Sequence, residues 1–191
     1  MKALTLVVLA AFAAGMRSLG AQAVVRPEAK LTEAQTTVRT SLYQLRDTLL
    51  LVEAASARIA RDLGNASDAA LRSRAQVMAD RCRAAVVQLD TTRAAVSRGG
   101  LPDPDPKTVR ASLDQALGTL RGQMQDCITQ FTGLSDPAKA EELRGYGIGR
   151  GKRVLTAIGN YRPTASQYFR RTFNQQYWPS TAGAGGTPTT P

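Results

Sequence analysis

Residues 31–63 read LTEAQTTVRTSLYQLRDTLLLVEAASARIARDL, and within them Val38, Leu42, Leu45, Leu49, Val52, Ser56, Ile59 and Leu63 recur at alternating steps of four and three. That period keeps one stripe of a helix against a neighbour, as in a coiled-coil seam, whereas a half-buried strand would alternate at every residue. Thr32 and Gln35 stand at capping-box spacing ahead of the seam, and Gly64-Asn65 follows it, so both ends of the helix are marked. A long helix with one apolar stripe needs partners to bury it.

The next segments supply them. Ser67 can cap a second helix with Asp68 in its first turn, and its seam is Leu71, Ala75, Met78, Cys82, Ala85, Leu89, Thr92 and Val96, ending at Gly99-Gly100. Ala75, Cys82 and Ala85 are small, which predicts close helix packing there and not a ligand cavity. Leu101 to Pro106 reads as a stiff turn into a third helix, whose apolar face is Val109, Leu113, Ala116 or Leu117, Leu120, Met124, Cys127, Phe131 and Leu134. Each cysteine falls on the seam of its own helix. In an antiparallel hairpin turning near residue 102, a slight offset of register pairs Cys82 with Cys127, and a disulfide is the expected state.

Ser135-Asp136-Pro137 restarts a helix, and Gly145, Gly147, Gly149 and Gly151 then interrupt it. Each interior glycine costs up to ~1 kcal/mol against alanine, so the expectation is a shorter, broken or kinked fourth helix with its regular part from about residue 151 to 159. The alternative is a helix whose glycines admit a close partner along Leu143, Gly147, Val154, Ile158 and Tyr161. After Pro163, Thr164 and Gln167 can cap a separate short helix with Phe169, Phe173 and Tyr177 on one face. The fold class expected is therefore all-α: an antiparallel bundle of three long helices, a shorter glycine-interrupted fourth, and a short C-terminal helix. As domains this gives a signal peptide over 1–23, a bundle over 24–161, a basic aromatic helix over 162–179, and a disordered Thr/Gly/Pro tail over 180–191.

At the N-terminus Lys2, an apolar run from Ala3 to Met16, Arg17 and Ala21-Gln22-Ala23 have the layout of a secretory signal peptide cleaved after Ala23. The run is short of the ~20 residues that cross a bilayer, and the mature chain is expected to have no transmembrane segment. A periplasmic or secreted location follows, with oxidised cysteines. Asn65-Ala66-Ser67 matches a glycosylation sequon.

Charge is unevenly placed. The chain carries +10 overall, yet after Glu142 there are seven basic residues and no Asp or Glu. The same part of the chain holds seven of its ten aromatic residues. Arginine gives planar donors to phosphate or carboxylate and the rings give apolar area, so the candidate binding residues are Arg150, Lys152, Arg153, Arg162, Tyr168, Phe169, Arg170, Arg171, Phe173, Tyr177 and Trp178. The expected partner is an anionic envelope surface, lipid head groups or acidic polysaccharide, or an acidic protein; export makes nucleic acid a poor candidate.

With no histidine, the usual general base, the Ser-His and Cys-His nucleophile systems and most zinc centres are missing. The expectation is a non-enzymatic binding or structural module of the cell envelope, without catalytic residues, metal or cofactor. Leu31-Thr32-Glu33-Ala34-Gln35 resembles the Leu-Thr-x-x-Gln motif of the periplasmic Spy and CpxP stress proteins. That resemblance implies a small, basic, helical chaperone-like adaptor using an apolar groove between helices, although the family's second copy of the motif is not matched at Leu134-Ser135-Asp136. A third reading is an accessory subunit of a membrane complex.

Overall fold

The computed structural model describes residues 31–99 and 108–178. The signal peptide, the start of the bundle over residues 24–30, the Pro-rich connection and the C-terminal tail expected from the sequence lie outside these residues. Helix α1 spans Glu33–Asp62, α2 Asp68–Arg98, α3 Thr108–Leu134 and α4 Ala140–Phe173, with one turn of 3₁₀ helix, Pro137–Lys139, before α4. The all-α bundle is as expected: α2 packs on α1 and α3, and α4 lies beside α3 and closes back on α1.

The helix starts follow from local chemistry. Thr32 and Gln35 form the capping box, the Gln35 amide donating to Thr32 Oγ1 at 3.2 Å and the Thr32 amide to Gln35 Oε1 at 2.9 Å. Ser67 Oγ accepts from the Ala70 amide at 3.3 Å and so caps α2. Two arginines close the C-terminal ends of helices, where carbonyls have no partner within the helix. Arg110 donates to the Val96 and Ser97 carbonyls of α2 at 2.7 and 2.6 Å. Arg144 donates to the Leu63 and Ala66 carbonyls below α1 at 2.9 and 2.8 Å, and to Asp68 Oδ1 at 2.6 Å.

The seams read from the sequence are the buried stripes, with Leu117 and not Ala116 inside α3. Cys82 and Cys127 are bonded, their Cα atoms 6.2 Å apart, and so link α2 to α3. Two further links cross the same pair of helices outside the core, Arg93 to Asp114 at 2.7 Å and Arg121 to Asp90 at 2.6 Å. All four groups are substantially exposed, so solvent screens both pairs and they add little to stability.

The C-terminal half differs from expectation. Residues 140–173 form one unbroken helix, the longest of the four, where a broken fourth helix and a separate fifth were expected. Gly147 and Gly151 face α1 and let it come close: a Cβ on Gly147 would lie 3.7 Å from Ile59 and from Leu63, and one on Gly151 would lie 2.6 Å from Ser56 Oγ. This tertiary contact offsets the low helix propensity of the run. Pro163 sits inside α4, and Thr164 and Gln167 are helix interior instead of a new cap. The carbonyl that Pro163 cannot serve belongs to Gly159, which is exposed and open to water.

Past α4, Asn174 takes the left-handed conformation, φ 53°, and its amide donates to the Arg170 carbonyl at 2.9 Å. Asparagine tolerates that conformation and ends the helix there. The chain then folds back so that Tyr177 enters the core, donating its hydroxyl proton to the Leu42 carbonyl at 2.8 Å. The Tyr161 and Tyr177 hydroxyls are 3.2 Å apart, and since the Tyr177 proton is committed, Tyr161 is the donor between them. Burial raises both phenols above their ordinary pKa, so they remain neutral. Replacing Tyr177 with Phe leaves the buried Tyr161 hydroxyl without its acceptor and is expected to cost about 1–3 kcal/mol in chemical denaturation. Removing both hydroxyls together is expected to cost less than the two single changes summed, because no orphaned group then remains.

Candidate functional site

The eleven candidate binding residues separate into three groups. Tyr168, Phe169, Phe173 and Tyr177 are core residues, not a docking face. The Phe169 ring centroid is 4.8 Å from that of Tyr43, 4.9 Å from Phe173 and 5.0 Å from Tyr177, so these rings close one end of the bundle on each other. Trp178 is half-buried beside them.

Arg162 belongs to this structural group too. It pairs with Glu53 of α1, and its Cζ lies 4.4 Å from the centroid of the Trp178 ring. Burial lifts the Glu53 carboxyl above its ordinary pKa, against the opposing pull of the Arg162 guanidinium. Arg150 is half-buried and bonded to Glu142 within α4 at 3.1 Å. Each therefore spends charge within the fold. Arg170 and Arg171 are exposed near the end of α4.

The structure brings Lys152 and Arg153 together in a setting the sequence did not show. They line a groove of about 650 Å³ between α3 and α4. Ser112, Gln115, Thr119 and Gln123 of α3 face Thr156, Asn160 and Thr164 of α4 across it. Ala116, Leu120, Ala157 and the Tyr161 ring form the floor. Both rows repeat at three or four residues, so each is one stripe of its helix. Lys152 and Arg153 are exposed, and neither forms an ion pair with a described residue. The groove lining contains no carboxylate; Asp126 lines a small adjoining cavity with Arg150 and Arg153.

The chemistry available here is recognition. Hydroxyls and amides both donate and accept hydrogen bonds, and two cations add attraction for negative charge. Among the described residues no group of three or more His, Cys, Asp or Glu side chains is placed to hold a metal ion, and no helix is long and apolar enough to cross a membrane. The α3 polar row does not stand out in the sequence because Ser, Thr and Gln on an outer face read as ordinary solvated positions. A signal was present: from Ser112 to Gln123 the stripe is uncharged, while neighbouring outer positions carry Arg110, Asp114 and Arg121. No protein-family model, curated protein or solved structure matches this chain.

Proposed function

We propose that this protein is an exported, non-enzymatic binding module that holds an acidic polysaccharide of the cell envelope in the groove between α3 and α4. The observation that carries the reading is the lining itself: Lys152 and Arg153 set among seven neutral hydroxyl and amide side chains, without a carboxylate. A uronic-acid chain is the complement of such a surface, since its hydroxyls match the amide and hydroxyl rows and its carboxylates match the cations. A bilayer surface fits less well. Peripheral membrane binding uses exposed apolar or aromatic side chains beside basic ones, and here Tyr168, Phe169, Phe173 and Tyr177 are buried. The signal-peptide layout of the first 23 residues and the Cys82–Cys127 bond support an oxidising, extracytoplasmic setting.

Calorimetric titration with oligogalacturonate tests this. The wild-type protein is expected to show saturable binding that weakens as salt rises, with no comparable binding of a neutral oligosaccharide of the same length. Lys152→Glu combined with Arg153→Glu is expected to weaken binding by ~10-fold or more, with the unfolding midpoint nearly unchanged because both side chains are exposed. Equal binding by the double variant, or none by the wild type, would contradict the proposal.

A further inference from the structure

We infer that the opposite side of the bundle, the groove between α1 and α2, is a docking surface for an acidic amphipathic helix of a partner protein. This groove encloses about 580 Å³. Two of the three large apolar side chains exposed among the described residues stand in it, Leu51 at 48% and Val77 at 45% exposure. Between and beyond them the walls are small, Ala54, Ala55, Ala70 and Ser73, so the groove has a shallow bed into which another helix's apolar stripe can settle.

Within the lining, Arg74 of α2 pairs with Asp62 of α1 and ties the two walls together. The stretch from Leu51 to Arg61 covers about 15 Å at ~1.5 Å per residue, close to three turns of a docked helix. That is the geometry of helix-in-groove recognition, with anchors at spacings of three and four.

Charge selects the occupant. Arg58, Arg61 and Arg81 line the groove, all exposed and none in an ion pair with a described residue. The one carboxylate in the lining, Asp62, is already matched by Arg74. The segments of this sequence outside the described residues offer no acidic run to complement that field: Glu28 is flanked by Arg26 and Lys30, Asp103 and Asp105 lie beside Lys107, and residues 179–191 have no charged side chain. A second copy meeting this face symmetrically would bring the same arginines against each other. An acidic helix from another protein satisfies both the arginines and the apolar bed, whereas a soluble polyanion would leave Leu51 and Val77 exposed.

The test uses fluorescence anisotropy with a fluorescein-labelled helical peptide of Glu, Ala and Leu, its leucines at helical spacings of three and four. A scrambled peptide of identical composition and anionic phosphatidylglycerol vesicles serve as comparisons. The full chain is expected to bind the patterned peptide at least ~10-fold more tightly than the scrambled one. Arg58→Glu with Arg61→Glu and Arg81→Glu should weaken that binding ~10-fold or more, while Lys152→Glu with Arg153→Glu leaves it unchanged. Leu51→Ser, which keeps every charge, should weaken it several-fold. Equal affinity for the scrambled peptide, insensitivity to Leu51→Ser in a folded variant, absence of binding, or use of the three arginines for vesicles instead of the peptide would each overturn the proposal.

Discussion

Reducing the Cys82–Cys127 bond, or replacing both residues with alanine, is expected to lower stability by about 4 kcal/mol, the chain-entropy value for a loop of this length. The bond spans 45 residues of sequence separation and ties α2 to α3 across the connection between them. Opening it frees the unfolded chain of that constraint. The folded state keeps its helices but loses a link where α2 offers few large side chains: Ala75, Ala79 and Ala85 are buried around Cys82. For a domain of this size the loss corresponds to roughly 10 °C in unfolding midpoint. Differential scanning calorimetry with and without a phosphine reductant reads it directly. A change below about 2 °C would mean that the bond contributes little beyond the packing.

The second large effect is expected at Gly151. A Cβ there would lie 2.6 Å from Ser56 Oγ and 3.9 Å from Ser56 Cβ. Alanine can be relieved by turning one hydroxyl, but Gly151→Leu places three more carbons against a buried stretch of α1 and pushes α4 away. The expected cost is about 3 kcal/mol. Gly145 and Gly149 have nothing within 4 Å of an added Cβ, so Gly145→Ala and Gly149→Ala are expected to stabilise by up to ~1 kcal/mol each through helix propensity alone. Urea unfolding of the three variants separates a continuous helix from a broken one. In a glycine-rich loop, alanine at 145 or 149 would bring no such gain.

Much of the fold was legible because helix seams are a local periodic property. The stripes from Val38 to Leu63, Leu71 to Val96 and Val109 to Leu134 follow from steps of three and four and are buried, and the caps at Thr32 and Ser67 follow from single side chains. Continuity of α4 was legible only as the alternative reading, since propensity argues against Gly145 to Gly151 and the compensating contacts with Ser56 and Ile59 come from a helix some ninety residues earlier. The aromatic residues were read as one group because they cluster in sequence. Burial distinguishes them: the turn at Asn174 carries Tyr177 into the core and leaves Trp178 beside Arg162. The basic segment likewise mixed roles. Arg144, Arg150 and Arg162 cap a helix or pair with carboxylates, while Lys152 and Arg153 face a groove whose other wall is the uncharged stripe of α3. Two solvated stripes become a site only when the bundle sets them opposite each other, and no local pattern encodes that.

The most direct test of the functional account is an amide chemical-shift titration of the isotopically labelled protein with oligogalacturonate. Saturable shifts concentrated in residues 112–123 of α3 and 152–164 of α4 are the expected result, with the α1–α2 face unaffected. Shifts confined to other parts of the bundle, or none at saturating ligand, would contradict the assignment of this groove as the binding site.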